Sequence, residues 1–207
     1  MLRALLEIIV EFSAIFIYIW HIQFTESLWI RNTFLLAVCI GFPLLCIFHE
    51  KKELAEFSLD GLALVKSVSN IFLFTFSASG FLVFISFYLQ EFFLDDKVIA
   101  RLFEYMFWSF LQQIGLQTFL TRRIQKIISD RYRIAFVSAA LFSLIHFPNF
   151  ILVCLTGIGG FFWVLAYLKT PNLYPLAVSH GWLAVLCYYA IPGRWIHDLK
   201  IGPSFWQ

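Results

Sequence analysis

Five polar residues set inside apolar runs are the candidates for chemistry. Gln112, Gln113 and Gln117 stand together in Gln-Gln-Ile-Gly-Leu-Gln. His146 follows Phe142 by four residues and precedes Pro148-Asn149, and His180 lies in Pro175-Leu-Ala-Val-Ser-His180-Gly. Polar side chains inside a bilayer are costly, so where they persist they face one another or a wet cavity. A neutral imidazole can accept a proton, bind a metal or orient water. A carboxamide donates and accepts hydrogen bonds but takes no proton from water. Taken alone, the glutamines read as glue between membrane helices. Two histidines beside them turn the reading toward a convergent site.

Spacing sharpens this. Gln113 and Gln117 are four apart and share a helix face, and with Gln112 they fit an arc of about 140° at roughly 100° per residue. They form a stripe able to face the helices that carry His146 and His180. Carboxylates elsewhere are the other candidate bases. Glu7 and Glu11 are four apart in the first apolar run. Either Glu7 lies at the surface while Glu11 snorkels or pairs, or Glu11 enters a cavity. Glu104 precedes Gln112 by eight residues, about 12 Å along a helix, toward the outer interface. Cys39, Cys46, Cys154 and Cys187 all lie in apolar runs without a C-x-x-C pair and read as small buried hydrophobes. Cys187 is two turns from His180, too far along one helix for a hydrogen bond. Two histidines without a carboxylate make a poor zinc site, so no metal and no other cofactor are expected.

The elements that must position these residues are membrane helices. The 207 residues are 61% hydrophobic and 14% charged, with mean hydropathy +0.82, against roughly half apolar and a quarter charged in a soluble domain. The net charge of +2 comes without a basic face, which leaves no case for nucleic acid. A span needs about 20 mostly apolar residues. The runs and their breaks predict an all-α membrane bundle of about seven helices, over residues 2–24, 28–48, 62–91, 98–128, 131–146, 150–168 and 174–190. The first run is too long for the apolar part of a cleavable signal peptide. The second helix is expected to kink at Gly41 and Pro43. Charged residues fill 49–60, a second polar break covers 91–97, and Asp130 is placed to cap the fifth helix. Residues 1–97, 98–191 and 192–207 read as three outer helices, a core and a short amphipathic tail of one domain.

Short membrane loops facing the cytoplasm are rich in Lys and Arg. With seven spans, the N-terminus and the loops after the second, fourth and sixth helices share one side and hold ten of the 15 basic residues. Five of them, Arg122, Arg123, Lys126, Arg131 and Arg133, lie in one loop. That side is expected to be cytoplasmic, with the C-terminus outside, His146 toward the outer face and Gln112 and His180 deeper.

Residues 100–190 resemble the CPBP family of CAAX-type prenyl proteases, bacteriocin-processing and Abi proteins. That family carries three motifs in successive membrane helices. Gln112-Gln113-Ile114-Gly115-Leu116-Gln117 stands where the family has Glu-Glu-x-x-x-Arg. Phe142 and His146, followed by Pro148-Asn149, match Phe-x-x-x-His. His180 matches the start of His-x-x-x-Asn, where this chain has Ala184. The resemblance implies a general-base position at Gln112, support from Gln113 and Gln117, an assisting role for His146 and an oxyanion role for His180. It also implies a membrane-associated protein or peptide substrate, surrounding lipid, and a bacterial inner (plasma) membrane location.

An amide in the base's place removes a term worth roughly 10²–10⁴-fold. The loss is concerted, however. Two carboxylates and their arginine are replaced together, which keeps the site neutral where a single change would strand a buried charge. Three functions are compatible with this pattern. The first is an intramembrane endopeptidase that uses His146 or His180 as base. The second is an inactive relative that binds a membrane peptide as a chaperone, immunity or regulatory protein. The third is a small transporter, disfavoured because no inverted repeat is visible.

Overall fold

In a computed structural model, residues 1–49, 55–90 and 95–206 are described. Parts of the two expected polar breaks, including Lys51, Lys52 and residues 91–94, lie outside them. The chain is 85% helical, with no strand among the described residues. Helix α1 is Leu2–Trp20, α2 is Leu28–His49 and α3 is Gly61–Leu89. Helix α4 runs as an α-helix over Val98–Gln113, a π-helix over Ile114–Thr121 and a last α turn over Arg122–Gln125. Helices α5, α6 and α7 are Arg131–Leu144, Phe150–Lys169 and Leu173–Ala190. Helices α2, α3 and α6 are long and apolar enough to cross a membrane by length and composition. The chain is an integral membrane protein.

Helix starts are set by local chemistry. Asp60, Asp130, Asn149 and Asn172 each accept a hydrogen bond from a backbone N–H in the first turn of α3, α5, α6 and α7, which satisfies one of the orphan donors there. The break expected at Gly41 and Pro43 takes another form. A π-helical stretch covers Leu35–Gly41, and α-helix resumes at Phe42. The fifth helix is shorter than expected: it ends at Leu144, and His146 lies in the turn beyond it.

Polar contacts gather at the two ends of the bundle. At one end the buried Arg123 guanidinium meets Glu7 at 3.0 Å, and Arg122 meets the buried Glu56 at 2.7 Å. Asn172 donates to the Ser58 carbonyl at 2.8 Å, and Asn70 donates to Thr170 at 2.9 Å. This end joins the start of α1, the end of α4 and the α2–α3 and α6–α7 connections. At the other end Asp95 accepts from Arg101 and from the Tyr189 hydroxyl, at 2.6 and 2.7 Å. There the Trp20 ring stacks on Phe147 at 6.3 Å and meets Trp206 edge-on at 6.2 Å. The tail is drawn into the same end. Asn149 donates to the carbonyls of Ile196 and Lys200 at 2.7 and 3.2 Å, and the Gly202 N–H donates to the Phe147 carbonyl at 3.0 Å.

Candidate active site

Between α1, α2, α3 and α4–α7 lies a mostly apolar cavity of about 1120 Å³. Gln112, His146 and His180 all line it, together with Ser109, Thr156 and Glu11. Gln113 and Gln117 are fully buried behind this wall. The three glutamines therefore divide: one faces the open space, and two form a packed strut.

That strut has a direction. Gln117 Nε2 donates to Gln113 Oε1 at 2.9 Å, and Gln113 Nε2 stands 3.4 Å from His180 Nδ1. With an amide N–H aimed at Nδ1, this nitrogen accepts, and the hydrogen of a neutral ring sits on Nε2. His180 is thereby prepared as a donor. Its ring also lies against Trp163, centroids 4.2 Å apart. Trp163 is held in turn by donation to Ser179 Oγ at 3.0 Å.

His146 is wired the opposite way. Its Nδ1 lies 3.2 Å from the Phe142 carbonyl oxygen, which can only accept, so Nδ1 carries the hydrogen. Thr156 Oγ1 is 3.4 Å from the same nitrogen while donating its own proton to the Leu152 carbonyl at 2.7 Å. The lone pair of His146 is left on Nε2. The Phe142 ring stands edge-on to both imidazoles, at 5.2 Å from His146 and 6.0 Å from His180. The two histidines thus share one wall with complementary tautomers, one an acceptor and one a donor.

The carboxylates sort differently from the simplest expectation. Glu7 pairs with both Arg3 and Arg123, at 2.8 and 3.0 Å. Glu11 neither snorkels nor pairs: it lines the cavity, is 3% exposed, and its Oε2 has no hydrogen-bond partner among the described residues. Glu104 is exposed and outside the cavity lining. Cys39 and Cys187 line the cavity as free thiols. Among the described residues no group of three or more His, Cys, Asp or Glu side chains is placed to hold a metal ion. In sequence Glu11 carries only the signal of an acidic residue in mid-helix, with two readings open. Its orientation depends on helix packing that periodicity does not specify.

The sequence profile of the Type II CAAX prenyl endopeptidase Rce1-like family matches residues 81–186. The chain belongs to this family. The match takes in the Gln112–Gln117 segment, His146 and His180, and leaves α1, α2 and the tail outside it. No curated protein and no solved structure matches the chain. Within the matched segment Phe142 and His146 keep the Phe-x-x-x-His spacing, whereas Gln112 and Gln113, adjacent in sequence, are divided in space.

Proposed function

We propose that the protein is an intramembrane endopeptidase of a bacterial inner membrane, cleaving a membrane-associated protein or peptide with His146 as base. The observation that carries this reading is the opposed hydrogen bonding of the two imidazoles on one cavity wall. His146 Nε2 takes a proton from water, and the water oxygen attacks the carbonyl carbon of the scissile peptide. The carbonyl electron pair moves to oxygen, where His180 Nε2–H donates to it, as preorganised donors do for developing oxyanions. The tetrahedral carbon then expels the amine, which takes the proton from His146 and leaves a carboxylic acid and an amine. Gln112 contributes hydrogen bonds that hold the water or the peptide. Gln113 and Gln117 fix the tautomer of His180.

A second reading rests on the amides themselves. Gln112 faces the cavity where the family has its carboxylate, which favours a protein that holds a membrane peptide without cutting it, in an immunity or regulatory role. Purified protein in lipid, offered a candidate membrane peptide, separates the two. Under the peptidase reading the parent cuts and both His146→Ala and His180→Ala do not. A rebuilt protein carrying Gln112→Glu, Gln113→Glu and Gln117→Arg is the counterpart. If it cuts where the parent never does, the binding reading holds.

A further inference from the structure

Glu11 is a buried carboxyl group that takes part in no ion pair or hydrogen bond among the described residues through Oε2. It lines the cavity, its side chain is 97% withdrawn from solvent by the 3% exposure of the residue, and Oε2 has no partner among the described residues. The neighbouring guanidinium does not serve it, since Arg123 reaches Glu7, one turn earlier on α1. A carboxyl group buried without a hydrogen-bond donor is strongly unfavourable. Such a group gains most from a donor that arrives with the occupant of the cavity.

Position decides what Glu11 would do. Glu7 is level with Arg123, and Glu11 lies about 6 Å further along α1. Gln113, which meets His180, lies ten residues from Arg123 along α4, mostly through the π-helical stretch Ile114–Thr121, whose rise per residue is smaller, so on the order of 12 Å. Glu11 is therefore displaced from the histidine wall by roughly 6 Å along the bundle axis, toward its Arg123 end. That is too far to activate water at the cleaved bond, where a base needs hydrogen-bond reach. An extended peptide advances about 3.3–3.6 Å per residue, so two or three residues bridge the gap. The surroundings suit a long cationic side chain: its methylenes pack on Phe12 and Ile15, which also line the cavity, and its head meets the carboxylate.

We propose that Glu11 is a specificity determinant: it receives a Lys or Arg side chain of the bound peptide, placed two or three residues from the bond at the His146–His180 wall. The proposal rests on the peptide-cleaving or peptide-holding use of this cavity. It assigns α1, outside the family match, the role of choosing the substrate.

The test uses the full-length protein in nanodiscs and a series of Ala/Leu membrane peptides. Each carries one Lys at a scanned position, or norleucine in its place, with cleavage sites mapped by mass spectrometry and binding followed by photo-crosslinking. The parent is expected to bind and cut the lysine peptides better than norleucine peptides by at least about tenfold, with the cleaved bond two or three residues from the lysine. Glu11→Gln, isosteric and uncharged, abolishes that ratio while still binding the norleucine peptide, which shows that it is folded. Glu11→Lys transfers the preference to peptides with Glu at the same position. An unchanged lysine-to-norleucine ratio in Glu11→Gln overturns the proposal. If the parent binds lysine peptides selectively through Glu11 but cuts none, Glu11 keeps its role and the peptidase reading alone is lost.

Discussion

At the scale of single residues, the site is defined by which nitrogen of each imidazole is already occupied. His146→Ala removes the acceptor and is expected to lower the cleavage rate by roughly 10²–10⁴-fold. Under the proposed peptidase reading, His180→Ala removes the donor to the oxyanion and is expected to cost about 10²–10³-fold, in both cases with peptide binding retained. Gln113→Leu provides a subtler check. It removes the N–H aimed at His180 Nδ1 and the acceptor that Gln117 uses, so His180 can carry its hydrogen on either nitrogen. The expected result is a lower kcat with KM unchanged, measured on a peptide that the parent cuts, since the lost interaction acts on the oxyanion alone. Motif spacing singled out these five positions in the sequence, and the structure brings Gln112, His146 and His180 to one cavity. Their division into Gln112 on the cavity and Gln113–Gln117 behind it was not legible. A helix wheel sets Gln112 and Gln113 about 100° apart in the α-helical part of α4, but which edge of the stripe meets open space depends on how α4 packs against the other helices, which periodicity does not specify.

At the scale of elements, the site depends on how closely α4 and α7 approach. Gly181, next to His180, has no room for a side chain: a Cβ there would stand 2.8 Å from Met106 Sδ and 3.0 Å from Met106 Cα. Gly181→Ala must separate the two helices, because the Met106 backbone cannot step aside as a side-chain tip could. The expected cost is about 1–3 kcal/mol, read as a fall in thermal midpoint by scanning calorimetry or fluorescence in detergent. The same pair of helices is clamped at its far end by Asp95, Arg101 and Tyr189. Donation from Arg101, then from the Tyr189 hydroxyl, holds the Asp95 carboxyl below its ordinary range. A depressed carboxylate contributes stability that is present above its unfolded value and is lost as pH falls through its folded value. The parent is therefore expected to lose thermal stability in acid below about pH 4, and Asp95→Asn to lack that acid-dependent step. Helix extents were legible from apolar runs and caps, as Asp130 before α5 illustrates. The π stretches in α2 and α4 were not, because a shift from i−4 to i−5 hydrogen bonding carries no composition of its own.

At the scale of the molecule, the cavity is closed by segments remote in sequence. The strongly conditioned position is Gly202, with φ +58, where a Cβ would lie 2.5 Å from Ile19 Cγ2 and 3.2 Å from the Ile19 carbonyl oxygen. A positive φ and a close approach both require glycine. Gly202→Val is expected to lift the tail from α1 and open the cavity end lined by Leu199 and Ile201. Labelling of Cys187, kept as the single thiol, by a water-soluble maleimide reports this, and faster labelling in the variant is the expected outcome. Composition alone predicted a short amphipathic tail. Its fold-back rests on the Asn149 amide and the Phe147 carbonyl reaching residues about 50 positions away, contacts that no local pattern encodes.

The docking of Gly202 against Ile19 also sets an order of events. During synthesis α1 is made before α5, α6 and α7, so its Glu11 and Ile19 face a space whose far wall does not yet exist. The histidines follow in α5–α6 and α7, and the cavity is enclosed only when residues 196–202 have emerged and settled on the 146–149 turn. A nascent chain arrested before that point presents an open apolar cleft with an unpartnered carboxyl group inside it. Enclosure of the cavity therefore waits on residues 196–202.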